Sequence, residues 1–147
     1  MAAAVTQRPE LFGAALLEYP VIDMLRYEHL LTGNRWTEDY GTVADSADVR
    51  AMLGYAPIQH ATSPACFPPT LVTPGEFDQT AAPAHAYKFV ATLQTAQSCR
   101  ANPILLRVTW GAGHTAGTTV SQATATWVDQ LTFVRKALGP ALAASAR

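Results

Sequence analysis

Short apolar runs alternate with helix-like stripes in the second half of the chain. Thr70–Thr73 is a four-residue run of the kind that forms a buried strand, and Ile104–Val108 is a second. Between them, Pro83 suits the first turn of a helix that continues to about residue 97 with apolar residues on one face. A further helix follows the second run. The order strand, helix, strand, helix predicts βα units on a parallel sheet.

The final predicted helix extends from Val120 to Leu138. Its apolar residues recur in steps of three and four, which predicts a stripe that faces the core. The stripe consists of Val120, Ala123, Trp127, Leu131, Val134 and Leu138. Gly139 and Pro140 then follow, which is a common helix ending. We therefore expect one domain over residues 1–139 and a disordered tail over 140–147.

The first half of the chain is less regular and is rich in aromatic residues. Alanines followed by Pro9 predict the end of a helix, and a short apolar run predicts a buried strand. Several Pro residues predict a loop over 57–69. The remaining predicted elements are a helix over 2–9, a strand over 11–17, a helix that begins with Asp23 as its N-cap, and a short helix over 45–53.

Composition excludes several classes of function. Only 14% of residues are charged, against ~25% in an average domain, which suggests a large share of buried or interface surface. The net charge is −1 and no Lys/Arg cluster is present, so we expect no nucleic-acid partner. No apolar run approaches the ~18 residues of a membrane span, and no signal peptide is visible at the start, so we expect a cytoplasmic protein.

The two cysteines, Cys66 and Cys99, lie in no Cys-x-x-Cys motif. A zinc or redox site is therefore not predicted, and we expect neither a metal nor another cofactor. A disulfide between them is possible, but two buried or half-buried thiols are the simpler interpretation.

Acidic and imidazole side chains follow the two predicted strands. Glu76 and Asp78 lie in a loop over 74–82, and His114 lies in a loop over 109–117. In parallel sheets, both loops lie at the edge where catalysis occurs. A carboxylate followed by a histidine is also the order of the last two members of an α/β-hydrolase triad. On spacing alone, a turn-forming aspartate and a solvated histidine remain the commoner interpretation, and Glu76 is a rival to Asp78.

Several segments resemble the prolyl oligopeptidase family. They occur in the family's order from residue 2 to about residue 139, nearly the whole chain. The chain is similar to the C-terminal part of that family's catalytic domain. The segments are Gln7–Gly13, Asp23–Tyr27, Trp36–Gly41, Tyr55–Pro57, Pro83–Phe89 with Leu93 and Gln94, and Gly111–His114.

The resemblance implies both a fold and a set of roles. It implies an α/β protein with a partial α/β-hydrolase fold, a mostly parallel sheet flanked by helices, without the N-terminal strands and the nucleophile elbow. Asp78 matches the triad aspartate and His114 the triad histidine. Trp36 matches the tryptophan that stacks on the proline ring of the substrate, and Tyr40 is its pocket neighbour. The implied activity is a serine-type oligopeptidase or endopeptidase that cleaves short peptides after proline.

The sequence departs from the family's pattern at three points. None of the five serines lies in a Gly-x-Ser-x-Gly elbow, which the family would place just before Met1. The family's Asp-Asp-Arg is replaced by Asp78-Gln79-Thr80, and threonine lacks the fork of donors that an arginine offers to a carbonyl. Thr115 follows His114 where the family usually has glycine. We therefore expect the lone chain to be inactive and substrate binding to be altered.

Two other functions remain open. The chain could be a non-catalytic remnant that binds a peptide or a protein through the Trp36 pocket, and an unrelated hydrolase such as an esterase is a weaker third alternative. We expect short proline-containing peptides as partners, no membrane partner, and self-association through an exposed sheet edge.

Overall fold

The computed structural model describes residues 1–114 and 118–145, with side chains up to residue 139. Short 3₁₀ turns cover Pro9–Leu11, Tyr27–His29 and Gly33–Trp36. The strands are β1 (Ala15–Glu18), β2 (Thr70–Thr73) and β3 (Ile104–Leu106). The helices are α1 (Ala2–Gln7), α2 (Thr37–Tyr40), α3 (Ser46–Leu53), α4 (Pro57–His60), α5 (Pro83–Ala96) and α6 (Val120–Ser145).

The three strands form one parallel sheet in the order β1-β2-β3. All four residues of β2 are buried, as the central strand requires. Pro83 opens α5 at its first turn, and α5 connects β2 to β3 as a βα unit. The predicted α/β architecture with a parallel sheet flanked by helices is therefore confirmed.

The main core lies between the sheet and α5. Val72 of β2 and Phe89 and Leu93 of α5 are completely buried there. Burial of each such side chain contributes about 1.5–3 kcal/mol. The cluster also contains Ala2, Leu17, Ile22, Ala61, Phe67, Ala86, Val90, Ala96 and Ile104. This core fixes the direction of β2 and β3, and hence the position of the loops that follow them.

Helix α6 lies on the opposite face of the sheet, with a different side inward from the one predicted. Gln130 of α6 donates a hydrogen bond to Glu18 of β1 at 2.7 Å, and Phe133 is 7% exposed. Trp127 and Leu131 of the predicted core stripe are instead 66% and 65% exposed. The stripe prediction is wrong because apolar residues occupy more than one side of α6, so their spacing alone did not identify the inward side.

The end of α6 also differs from the prediction. The helix continues through Gly139 and Pro140 to Ser145, so the disordered tail predicted over 140–147 is wrong for residues 140–145, and 146–147 lie outside the described residues. A proline removes one helical hydrogen bond, whereas the alanines that follow favour helix. Neither α6 nor any other helix in the described ranges is both long and apolar enough to cross a bilayer.

Three corrections concern the first half of the chain. The strand predicted over 11–17 covers Ala15–Glu18, because Leu11 ends a 3₁₀ turn and is 64% exposed. Asp23 does not cap a helix; its carboxylate is completely buried and pairs with Lys88 and Arg26. Tertiary ion pairing therefore outweighs local capping at this position. The loop predicted over 57–69 also contains the short helix α4.

Cys66 and Cys99 form a disulfide, so the expectation of two thiols is wrong. Their Cα atoms lie 4.9 Å apart and 33 residues separate them in sequence. The side-chain amide of Gln97 brings the two segments together, since it accepts from the Phe67 N–H at 3.1 Å and donates to the Phe67 carbonyl at 3.0 Å. The disulfide lies before β2 and after α5, at the end of the sheet opposite the loops that carry Asp78 and His114.

Candidate active site

The loops that follow β2 and β3 are joined to each other by backbone hydrogen bonds. The Thr109 N–H donates to the Pro74 carbonyl at 3.0 Å, and the Glu76 N–H donates to the Thr109 carbonyl at 3.1 Å. The Phe77 N–H then donates to the Ala112 carbonyl at 2.9 Å. Sheet-like pairing thus continues beyond the strands and sets the relative position of the two loops.

Asp78 is a completely buried carboxylate with three hydrogen bonds. Its Oδ1 accepts from the backbone N–H groups of Thr80 at 2.8 Å and Ala81 at 2.9 Å. Its Oδ2 lies 2.8 Å from Nδ1 of His114. Burial of a carboxylate is costly unless it is hydrogen-bonded, and here both oxygens have partners. The side chain is therefore held in one orientation.

His114 receives its orientation from that contact. An ionised carboxylate only accepts hydrogen bonds, so Nδ1 carries the proton and Nε2 holds the lone pair. The side chain is 38% exposed, whereas that of Asp78 is 0% exposed. A half-exposed imidazole whose Nδ1 is bound to a buried carboxylate is the arrangement that a general base requires.

Glu76, the rival carboxylate, has a different contact. Its Oε2 accepts a hydrogen bond from the Gly111 N–H at 2.8 Å. Glu76 therefore braces the loop that carries His114, while Asp78 contacts the imidazole itself. The two acidic residues of one loop have separate partners, which the sequence alone left open.

Trp36 and Tyr40, the predicted substrate-binding residues, form an aromatic group with Tyr27. The Trp36 and Tyr40 rings meet edge to face with centroids 6.5 Å apart, and Tyr40 and Tyr27 do so at 5.6 Å. Tyr27 is completely buried and its hydroxyl donates to the Gly41 carbonyl, which anchors the group. Trp36 is half-buried and Tyr40 is 40% exposed, so both rings retain surface for a ligand.

Tyr19 is a site residue that sequence reasoning missed. Its ring centroid lies 4.8 Å from that of His114, at an interplanar angle of 48°. It directly follows β1, and its φ of +44° is unusual for a residue other than glycine. Burial raises the pKa of the Tyr19 phenol, and the negative charges of Glu18 and Asp78 raise it further. No signal in the sequence marks a tyrosine that adopts this backbone conformation.

His85 fixes the segment between β1 and the aromatic group. It is 1% exposed, and its Nδ1 accepts from the Asp23 N–H at 3.1 Å. Burial lowers the pKa of His85 to about 4, so the ring is neutral and remains an acceptor. The Asp23 carboxylate in turn pairs with Lys88, on the same helix as His85. This latch between α5 and the segment after β1 gives His85 a structural role.

Neither a nucleophile nor a metal centre accompanies His114 in the described part of the chain. No serine there hydrogen-bonds to His114, and no three His, Cys, Asp or Glu side chains are arranged to bind a metal ion. The five serines are Ser46, Ser63, Ser98, Ser121 and Ser145. The site thus contains an oriented imidazole and a carboxylate, and the group whose proton it would take is not supplied by these residues.

Comparisons with known proteins match this chain over nearly its whole length. The model of the prolyl oligopeptidase family matches residues 1–141. The prolyl endopeptidase of Elizabethkingia meningoseptica is 39% identical over 138 residues, which are 93% of this chain and 19% of that enzyme. The prolyl oligopeptidase A of Galerina marginata is 33% identical over 140 residues, 95% of this chain and 19% of the relative.

Solved structures give the same result for the fold. A prolyl endopeptidase from a structural and mechanistic study of two such enzymes superposes with a TM-score of 0.89 at 34% identity, over 94% of this chain and 20% of that one. Prolyl oligopeptidase B from Galerina marginata, bound to a 35-residue hydrolysis and macrocyclization substrate, gives 0.85 at 26% identity, over 94% and 20%. This chain spans about a fifth of the length of the relatives that it matches.

Proposed function

Because this chain belongs to the prolyl oligopeptidase family, we propose that His114 is the general base and acid, and Asp78 its orienting carboxylate, in a serine peptidase that cleaves short peptides after proline. The observation that carries the proposal is the 2.8 Å contact between Asp78 Oδ2 and His114 Nδ1. Two loops separated by 36 residues in sequence meet at that contact, and a buried carboxylate binds one nitrogen of a half-exposed imidazole.

The chemistry follows from which nitrogen is occupied. With Nδ1 bound to Asp78, Nε2 of His114 takes the proton of a serine hydroxyl as the hydroxyl attacks the peptide carbonyl. The same nitrogen then returns the proton to the leaving amine, and Asp78 stabilises the imidazolium that exists between the two steps. The serine of this mechanism is that of a Gly-x-Ser-x-Gly motif, which these 147 residues do not contain.

Trp36 and Tyr40 are proposed to bind the substrate. An indole face suits a rigid, apolar pyrrolidine ring, and the Trp36 side chain is held edge to face by Tyr40. Thr80 stands where the family's arginine binds a substrate carbonyl. Its N–H is already bound to Asp78, and its side chain has no cationic fork, so we infer weaker or altered peptide binding.

The lone chain is proposed to be inactive for want of the serine. The alternative from a different class is a remnant that binds a peptide or a protein without hydrolysing it. The half-buried Trp36 and the 40% exposed Tyr40 favour this alternative, since such a surface needs no nucleophile.

A chimera separates the two functions. Residues 1–141 of this chain replace the matching fifth of the Elizabethkingia enzyme, and the chimera and the lone chain are assayed with a chromogenic Gly-Pro substrate and a fluorophosphonate serine probe. We expect probe labelling and turnover in the chimera only, and loss of turnover in the His114→Ala chimera. Glu76→Gln is the matched control and retains most activity.

The outcomes lead to different conclusions. Labelling of the lone chain at one of its own serines, with turnover that depends on His114, would overturn the proposal of a missing nucleophile. A chimera that folds and is labelled but turns over equally well with His114→Ala would overturn the role of His114. Peptide binding by the lone chain that Trp36→Ala abolishes, together with an inactive chimera, would favour the binding remnant.

A cytoplasmic location remains a prediction, and the disulfide weighs against it. Structural disulfides are rare where glutathione and thioredoxin keep thiols reduced. Rapid alkylation of Cys66 and Cys99 in intact cells tests the point. Two alkylated thiols support the cytoplasm, and protected cysteines support an oxidising compartment.

A further inference from the structure

The residue after β1 places an aromatic ring against His114. Tyr19 follows the last residue of β1, and its N–H donates to the carbonyl of Thr73, the last residue of β2, at 3.3 Å. The side chain is half-buried, and its ring centroid lies 4.8 Å from that of His114. Tyr19 therefore contacts the imidazole from β1, whereas Asp78 contacts it from the loop after β2.

The residue that makes this contact also has a backbone conformation that is unfavourable for an L-residue. A φ of +44° costs an L-residue with a large side chain about 1–2 kcal/mol. Strain of this kind persists only where surrounding contacts compensate for it. Leu31 also has a positive φ, of +54°, but its side chain is 51% exposed. At Tyr19 the strain coincides with a ring-to-ring contact at the candidate active site.

The phenol acts here as a neutral ring. Burial raises the pKa of Tyr19, and the nearby Glu18 and Asp78 carboxylates act in the same direction, while Arg107 opposes them. The hydroxyl makes no hydrogen bond to the residues that the structure describes. Tyr19 therefore interacts with His114 through van der Waals contact of an uncharged aromatic ring, and not through a proton or a charge.

We propose that Tyr19 is a positioning residue, whose ring blocks rotation of the His114 imidazole and keeps Nδ1 on Asp78. A single hydrogen bond fixes one atom of an imidazole but leaves the ring free to tilt about it. A ring packed at 48° against one side removes that freedom. The consequence for catalysis rests on the proposed peptidase function, whereas the effect on the imidazole does not.

The first test uses the chain itself and needs no activity. Long-range ¹H–¹⁵N spectra of the four histidines report the tautomer and the ring protons of His114, assigned by its absence in His114→Asn. Tyr19→Phe retains the ring, and Tyr19→Asn removes it while tolerating a positive φ. Tyr87→Ala is the control, since Tyr87 is a 38% exposed tyrosine on α5. Circular dichroism verifies that each variant folds.

We expect a single Nδ1–H tautomer and ring-shifted His114 protons in the parent chain, in Tyr19→Phe and in Tyr87→Ala. Tyr19→Asn should lose the ring shift and give a mixture of tautomers. A folded Tyr19→Asn variant with unchanged His114 signals would overturn the proposal. Loss of the signals in Tyr19→Phe would overturn it too, because the hydroxyl rather than the ring would then be responsible.

The second test measures the catalytic consequence in the chimera. Tyr19→Asn should lower kcat by roughly 10- to 100-fold with KM unchanged, since misplacing a reacting group costs that much, and Tyr19→Phe should restore it. If the chimera shows no turnover, that result contradicts the proposed peptidase function. It does not affect the spectroscopic test of the positioning role of Tyr19. An active chimera in which Tyr19→Asn raises KM and leaves kcat unchanged overturns the positioning role.

Discussion

Gly75 lies directly against the carbonyl of Gly113, so close that a Cβ on Gly75 would stand 2.2 Å from that oxygen and 2.8 Å from the carbonyl oxygen of Ala112. The backbone before Asp78 and the backbone before His114 are thus in van der Waals contact. The hydrogen bond between Asp78 and His114 depends on this close approach, because any residue larger than glycine at position 75 would push the two loops apart.

We predict that Gly75→Ala separates Asp78 from His114. The clash is with backbone atoms, which cannot rotate away, so we expect a loss of about 1–3 kcal/mol in the free energy of unfolding and a mixed His114 tautomer. Urea unfolding and the histidine ¹⁵N spectrum measure the two effects. Gly111→Ala is the control: its φ of +71° costs about 1–2 kcal/mol, but no atom of the described residues lies within 4 Å of the added Cβ. An unchanged tautomer in Gly75→Ala would contradict the prediction.

Asp78→Asn should reduce turnover in the chimera far more than Glu76→Gln. An amide at position 78 can donate to His114 Nδ1, which moves the imidazole proton to Nε2 and removes the lone pair that a base needs. In the serine-protease triad this change costs roughly 10⁴-fold in kcat, and we expect the same order here. Among the described residues, the Glu76 carboxylate hydrogen-bonds to the Gly111 N–H and not to His114, so Glu76→Gln should change kcat by less than about tenfold. Comparable losses in both variants would contradict the separate roles.

His85 should make the chain sensitive to moderate acid. Its pKa is about 4 in the folded chain against an ordinary 6.5, so the unfolded state binds the proton first as the pH falls. The neutral His85 ring contributes about 3 kcal/mol to the free energy of unfolding. This contribution is complete above pH 6.5 and is lost progressively as the pH falls from 6.5 to 4. Urea unfolding at pH 7, 5.5 and 4 measures this decline. His85→Asn keeps an acceptor and should remove this part of the pH dependence, while His29→Asn should leave it; equal slopes in both variants would contradict the prediction.

Removal of the disulfide should destabilise the chain without disturbing the site. The bridge closes a loop of 33 residues, and the chain-entropy model assigns about 3–4 kcal/mol to a loop of that length. We expect a loss of this order in Cys66→Ala/Cys99→Ala, measured by urea unfolding, with the His114 spectrum retained. The contacts of Gln97 with Phe67 remain in the variant, so Gln97→Ala in the same background should cost further stability. A disturbed His114 spectrum in a folded double variant would show that the site depends on the bridge.

The lone chain should associate through the edge of its sheet. Leu105 and Leu106 of the edge strand β3 are 45% and 39% exposed, and an open edge offers unpaired backbone groups to another chain. Light scattering should show a concentration-dependent increase in mass that Leu106→Lys reduces. Leu53→Lys, which alters a 42% exposed leucine on α3, serves as the control. A parent chain that stays monomeric at high concentration would contradict this prediction.

Local signals predicted the parallel sheet, whereas Asp78 and His114 were assigned by the resemblance to the prolyl oligopeptidase family, because order and spacing alone favoured a turn aspartate and a solvated histidine. Buried runs such as Thr70–Thr73 and a proline at the start of α5 are visible in the sequence, and the order of carboxylate and histidine follows from the topology. The choice between Glu76 and Asp78 was different, since both lie in one loop. The family's spacing favoured Asp78, and the structure gives the two carboxylates different partners: Asp78 contacts His114, and Glu76 accepts from the Gly111 N–H.

The features that could not be predicted depend on packing between distant segments. The inward side of α6 is set by Gln130 and Phe133 against the sheet, and no spacing rule prefers them to Trp127 and Leu131. The positive φ of Tyr19 occurs together with a ring contact to His114, which lies on a distant segment of the chain. The sequence around Asp23 likewise resembles a helix N-cap, and only the folded structure shows that its carboxylate pairs with Lys88 of α5.

The bridge between Cys66 and Cys99 makes a covalent ring of β2, the Asp78 loop and α5, with His114 outside it. A protease that cuts the loop once, for example beside the 59% exposed Phe77, opens the ring without dividing the molecule. The nicked chain would migrate as one band on a non-reducing gel and as two after reduction. The piece with β1 and β2 would thus stay joined to the piece with Asp78 and His114, after a cut that in a chain without the bridge would leave only non-covalent contacts between them.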